Sequence, residues 1–209
     1  TFSPVGDVRS NRTAWVLGAL SAASMAVLLA YALIIAPPDA VQGDAQRLMY
    51  LHVPAAWLAY LAFFVTSLSS LLYLVPKTRS QVWDRVAVSS AEIGVLFTGL
   101  TIFLGGVWGK PVWGVYWTWD ARLVTTAVLF FLYLGYLALR RATPDPDQRA
   151  KRAAVSALIS FVDVPVVHMS VTWWRTLHQQ GTVFNPELRA EITGVMAFTL
   201  WWGVLSFTL

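Results

Sequence analysis

Six stretches of this chain are apolar enough and long enough to cross a bilayer, near residues 14–36, 54–75, 86–107, 123–139, 153–171 and 191–209. A hydrocarbon core takes about 20 mainly apolar residues per helical crossing, and within it only helices or closed barrels satisfy every backbone N–H and C=O. Runs of this length select helices. Hydrophobic residues make up 57% of the chain and charged residues 12%, well below the roughly 25% charged content of soluble domains. The expected fold is therefore an all-α integral membrane protein, residues 1–209 forming a single domain of six transmembrane helices. No internal repeat or separate soluble domain is visible. The fourth run is short and the fifth carries Asp163.

The first apolar run lacks a small-residue cleavage pattern at its end and reads as a retained helix, not a signal peptide. The chain starts at Thr1 and stops inside an apolar run at Leu209, so both ends read as trimmed. Orientation follows from the bases. Arg9, Arg12, Lys77, Arg79, Arg85, Arg140, Arg141, Arg149, Lys151 and Arg152 fall on one side of the six runs; Arg47, Lys110, Arg122, Arg175 and Arg189 fall on the other. The positive-inside rule places the first side, with the N-terminus, in the cytoplasm. The net charge of +4 thus reports topology, and no basic patch with a nucleic-acid motif accompanies it.

Between the third and fourth runs lies Trp108-Gly-Lys-Pro-Val-Trp-Gly-Val-Tyr-Trp-Thr-Trp-Asp-Ala-Arg122. Residues 108–122 read as an outer loop rich in tryptophan, with Gly109, Pro111 and Gly114 shaping it. An aromatic belt at headgroup level explains one or two such rings. It does not ask for an acid and a base, Asp120 and Arg122, at the end of the cluster. Four large rings in a short exposed segment fit a platform for a large flat ligand.

The chain has no cysteine, which excludes disulfides, thiolate metal sites and a thioether link to a cofactor. Histidine remains as the soft ligand. His52, His168 and His178 are the three present, and the topology puts all of them at or near outer helix ends. Pro54 suits the first turn of the second helix, where its missing N–H costs nothing, so His52 is expected just outside the membrane. His178 follows the fifth helix. For His168, inside the apolar end of that helix, a hydrogen-bonded structural role is the favoured reading.

A flat, apolar, anionic ligand with a central metal fits two outer histidines flanking an aromatic loop, and haem is such a ligand. Two neutral imidazoles suit its axial positions, tryptophans its macrocycle, and Arg122, Lys110 or Arg47 its propionates. Asp163 and Glu92 sit in apolar runs, where ionisable groups are costly and often functional. Glu92 is near enough to the cytoplasmic end to reach headgroups. Asp163 precedes Pro165, whose freed backbone groups can bond a carboxyl. Trp201 and Trp202 read as helix or lipid packing.

Trp113-Gly-Val-Tyr-Trp-Thr-Trp-Asp120 fits a WGxxWxWD core, and the run from Trp108 to Arg122 resembles the tryptophan-rich signature of the CcmC family. His52-Val-Pro-Ala-Ala, the Trp-Gly-Lys-Pro opening and Trp173-Trp-Arg-Thr-Leu-His178-Gln are similar to that family in order and spacing, over nearly the full chain. The resemblance implies a bacterial inner-membrane protein of cytochrome c maturation. It implies that haem b, held non-covalently and transiently at the periplasmic face, passes to a CcmE-like haem chaperone. A CcmAB-like ABC transporter and a CcmD-like small membrane protein are the implied further partners. By position, His52 and His178 match the family's axial ligands, and Trp108, Trp113, Trp117, Trp119 and Asp120 its loop. Arg122 belongs to the motif, its propionate role resting on charge. No nucleophile with a general base appears, so the reading is a carrier, not an enzyme. A haem-translocating channel and a membrane haem redox subunit stay open. The first has only a weak polar path, and the second lacks a histidine on the cytoplasmic side.

Overall fold

In a computed structural model, which describes residues 12–178 and 192–209, every regular element is helical. Arg9, Arg189 and the start of the sixth run lie outside the described residues. Helix α1 (Arg12–Ala30) runs into a π-helical turn (Tyr31–Ile35). A 3-10 turn (Asp44–Leu48) leads into α2 (Met49–Leu74), followed by α3 (Gln81–Trp113) and α4 (Ala121–Ala142). The fifth crossing is split into α5 (Pro146–Phe161) and α6 (Asp163–Trp173), and α7 (Gly194–Thr208) completes the described chain. Five of these segments are long and apolar enough to cross a membrane, and α7 is a shorter apolar helix of the same kind.

Caps define the ends of these helices. Ser80 Oγ accepts from Val82 N–H at the start of α3, Asp120 Oδ1 from Arg122 N–H at the start of α4, and Asp145 Oδ2 from Gln148 N–H at the start of α5. Each satisfies a donor that the first helical turn leaves unpaired. Gly114 ends α3 with φ +80°, the left-handed conformation that favours glycine at this position. The break at Val162 comes three residues before Pro165, whose missing N–H leaves the carbonyl of Phe161 without its helical donor.

The apolar runs underestimate two helices. α2 begins at Met49, so His52 lies inside it and Pro54 is an interior residue, contrary to the expected first-turn proline. α3 continues to Trp113, so residues 108–122 are not one loop: Trp108 to Trp113 are helical, and the connection is 114–120. Hydropathy marks where lipid ends, whereas helix ends are set by caps and turns. Pro111 is tolerated close to the end, where it forfeits one bond.

Small residues let the helices approach. A Cβ on Gly94 of α3 would fall within 3.0 Å of the Phe63 ring of α2. Phe63 stacks on Tyr133 of α4 at 3.7 Å, and both are buried with Ala91, Ala153, Ala157 and Val167. Pro54 frees the Tyr50 carbonyl of α2, and there Gly203 of α7 comes so close that a Cβ would lie 2.9 Å from that oxygen. Close backbone approach over glycine and alanine is how membrane helices gain packing energy without a hydrophobic drive. Hydrogen bonds add to it: Ser24 and Ser206 join α1 to α7 at 2.6 Å, and Trp202 Nε1 donates to the Ser24 carbonyl. That bond gives Trp202 the packing role expected of it.

Candidate functional site

Three connections meet at one end of the bundle. The first, between α1 and α2, is closed by a pair of backbone bonds between Asp39 and Gly43, and Gln42 Oε1 accepts from Trp108 Nε1 at 2.9 Å. The second is the tryptophan-bearing 114–120 connection. The third starts at Trp174 and is tied to the second by Asp120, whose Oδ2 accepts the Leu177 backbone N–H at 2.7 Å.

These ties bring the two expected histidines to the tryptophans. His52 lies edge-on to Trp108, ring centroids 5.7 Å apart at 72°. His178 lies edge-on to Trp113, at 5.1 Å and 60°. Trp108 and Trp113 stand five residues apart on α3, so both imidazoles lie at the same end of that helix. In each ring Nδ1 is buried and lacks a well-aligned hydrogen-bond partner, the His52 ring lying against the Thr101 backbone. Buried polar atoms in folded proteins are nearly always paired, so two orphaned imidazole nitrogens at one site require an explanation. Burial holds His178 far below the ordinary imidazole range, to about 4, with the Arg122 cation adding to the shift and Asp120 opposing it. A neutral imidazole with an unused lone pair is a metal ligand in waiting.

The described residues contain no group of three or more histidine, cysteine, aspartate or glutamate side chains able to enclose a metal ion. Two imidazoles flanked by indoles instead suit a metal that brings its other donors with it in a flat ring, and on this test the residues fit haem.

The remaining tryptophans are placed differently. Trp117 and Trp119 pack edge to face at 6.1 Å and 89°, with Trp119 86% exposed. They form an outward aromatic surface and make no ring contact with His52 or His178. The expected cations are already engaged. Arg122 Nη1 donates to the carbonyls of Val167 and His168 at 3.2 Å. Lys110 Nζ donates to the Gly114 carbonyl and lies over Tyr116, and Arg47 pairs with Asp44 while donating to the Ala32 carbonyl. The side chain of His168 is exposed and makes no hydrogen bond among the described residues, contrary to the hydrogen-bonded structural role expected of it; only its backbone carbonyl is engaged. Asp163 keeps one buried oxygen without a partner and does not bond the backbone freed by Pro165. Glu92 is exposed on the flank of α3 in a groove shared with Arg140 and Arg141.

Sequence reasoning missed Gln42, Gly105 and Thr118. Nothing in the Gln42 segment announces a bond to Trp108. Gly105 is one of a glycine pair, a sign of close approach: a Cβ there would sit 2.9 Å from His52 Cε1. Thr118 Oγ1 is buried and unpartnered within the 114–120 connection.

Residues 6–209 match a family profile described as CcmC, Heme exporter protein C. The chain is 44% identical over 176 residues to the Heme exporter protein C of Bradyrhizobium diazoefficiens, an alignment covering 83% of this chain and 66% of that one. It is 40% identical over 149 residues to a putative cytochrome c biosynthesis ccmC-like mitochondrial protein of Marchantia polymorpha, covering 71% and 62%. To the Heme exporter protein C of Escherichia coli K12 it is 35% identical over 198 residues, covering 93% and 78%. It therefore spans somewhat under two thirds of the length of the first two relatives.

Proposed function

Because the chain belongs to the CcmC family, Heme exporter protein C, we propose that it holds haem b non-covalently at the outer membrane face and presents it to a membrane-anchored, CcmE-like haem chaperone for cytochrome c maturation. The observation that carries the reading is the pair of buried, unpartnered Nδ1 atoms of His52 and His178, each beside a tryptophan. These two imidazoles take the axial positions, and Trp108 and Trp113 fix their ring planes. Asp120 positions His178 through the Leu177 backbone. Trp117 and Trp119, facing outward, offer the surface on which cargo and chaperone meet.

Axial ligation by two neutral nitrogens supplies a reversible hold, with affinity sensitive to iron oxidation state. Release asks the protein to give up one imidazole, and His178, which stands on the connection after α6 while His52 stands on a helix, is the one placed to yield. The chain acts as a carrier and docking platform, not as an enzyme, with a CcmAB-like ABC transporter and a CcmD-like small membrane protein as further partners. It resides in the bacterial inner membrane with its N-terminus in the cytoplasm and the 114–120 connection in the periplasm.

The test is the absorption spectrum of detergent-purified protein, oxidised and reduced, for wild type beside His52→Ala and His178→Ala. A six-coordinate low-spin haem that is lost or turns high-spin in both variants is the expected result. Failure of wild type to retain or bind added haem would overturn the cofactor assignment, leaving the aromatic surface a protein-docking site alone.

A further inference from the structure

Two lateral grooves flank α4 at the opposite end of the bundle from the histidines, and they differ in charge. The groove between α3 and α4 contains Glu92 beside Arg141, and its Arg140 is already held by Asp84 in a two-pronged ion pair at 2.6 and 2.8 Å. The groove between α4 and α5, about 400 Å³, contains no acid. Its apolar walls are Phe131, Val155 and Ile159, which are 67%, 48% and 64% exposed. Its floor is open at Gly135, where a Cβ would meet nothing within 4 Å. At its end stands Arg152, exposed and without a hydrogen bond or ion pair among the described residues. The nearby acids are engaged elsewhere: Asp145 caps α5 and Asp147 accepts from Gln81.

We propose that the α4–α5 groove binds an anionic diacyl phospholipid, with the headgroup phosphate on Arg152 and an acyl chain laid over Gly135 between Phe131 and Ile159. Arg152 lies six residues into α5 from Pro146, about 9 Å along the axis. That depth suits a guanidinium whose stem lies along apolar surface while its head reaches the phosphate level. Guanidinium binds phosphate through paired N–H donors, and basic pockets between helices at the cytoplasmic side are a recurring site for anionic headgroups. In the α3–α4 groove Arg140 is held by Asp84 and Arg141 shares the space with the Glu92 carboxylate, so an anionic headgroup meets opposed charges there. The lipid occupies α4 on the side away from α3, so its binding is separate from haem retention at the far end.

The experiment uses the full chain in phosphatidylcholine vesicles, with spin-labelled phosphatidylglycerol or phosphatidylcholine as the probe and electron spin resonance to measure the motionally restricted fraction. Wild type should prefer phosphatidylglycerol about fivefold at one site, the scale of a single basic contact near the surface. Arg152→Gln should remove that preference, Arg152→Lys should keep part of it, and Gly135→Leu should remove it by filling the groove. Lys151→Gln, which deletes an exposed like charge outside the groove, should leave it intact. No preference in wild type, persistence in Arg152→Gln, or equal losses in Arg152→Gln and Lys151→Gln would each overturn the site, the last by showing diffuse attraction to a basic end.

Discussion

Asp120 accepts the backbone N–H of Leu177 at 2.7 Å, one residue before His178. Its other oxygen accepts from Arg122 N–H at 2.9 Å and so caps α4. One carboxylate thus anchors a helix start and, from that fixed point, the segment carrying a candidate ligand. On the proposed reading, the acid at the end of the tryptophan cluster positions His178, and its contact with the opposite connection is one that an aromatic belt alone does not require.

Asp120→Ala should lose both functions at once. Removal of an N-cap costs about 1 kcal/mol, which a membrane protein of this size survives, while the Leu177 tie disappears outright. The expected outcome is a folded protein whose haem affinity falls roughly tenfold, about 1.4 kcal/mol, with part of the bound haem high-spin. Asp120→Asn keeps a capping oxygen and should be intermediate. Haem titration followed by absorbance reads both; wild-type affinity in Asp120→Ala would remove the positioning role.

His168→Ala should leave the haem spectrum and affinity unchanged. The His168 side chain is exposed, and what Arg122 takes from this residue is its backbone carbonyl, which the substitution retains. A loss matching that of His52→Ala or His178→Ala would mean that the wrong pair of histidines has been assigned as ligands.

The helical class, five of the six expected crossings and the gathering of His52 and His178 at one end of the bundle are legible in the sequence, because lipid imposes helix length and polarity directly. Helix ends are not. Hydropathy falls off near Val107, yet α3 runs six residues further to Trp113 and stops only at Gly114, so Trp108 and Trp113 stand on a rigid helix. The same helical mounting holds for His52, the fourth residue of α2. Pairings such as Gln42 with Trp108 and Arg122 with the carbonyls of α6 depend on tertiary placement, to which no local pattern points. Arg122, expected from its charge to meet an anionic ligand, has backbone carbonyls as its partners in the structure.

The pH dependence of His178 has a definite sign. Its folded value of about 4 lies below the ordinary 6.5, so burial favours the neutral ring. Above pH 6.5 both folded and unfolded chains leave it uncharged and its contribution to stability is constant. Between 6.5 and 4 the unfolded chain takes up a proton that the folded chain refuses, so stability falls as pH falls through that window. In carbon-13 labelled, haem-free protein the His178 resonance should titrate near 4. Arg122→Gln should raise the midpoint by removing a nearby cation, yet leave it below 6.5 because burial is the larger cause. A wild-type midpoint at 6.5 would contradict the buried placement.

Gly105→Ala separates site from fold. The added methyl carbon would stand 2.9 Å from His52 Cε1, closer than unstrained atoms approach, and in ordinary contact with its Nδ1 at 3.5 Å, and the ring is flanked by Trp108. Something must give, and the imidazole is the freer of the two groups. In the helix itself alanine is favoured over glycine by about 1 kcal/mol, so the thermal midpoint should hold or drop only slightly. The ligand nitrogen should be displaced by a few tenths of an ångström, which shows as a partial conversion of low-spin to high-spin haem. Gly99→Ala, on the same helix, meets only Phe130 at 3.4 Å and should preserve both midpoint and spectrum. A fully low-spin spectrum in Gly105→Ala would place the ligating nitrogen elsewhere than on His52.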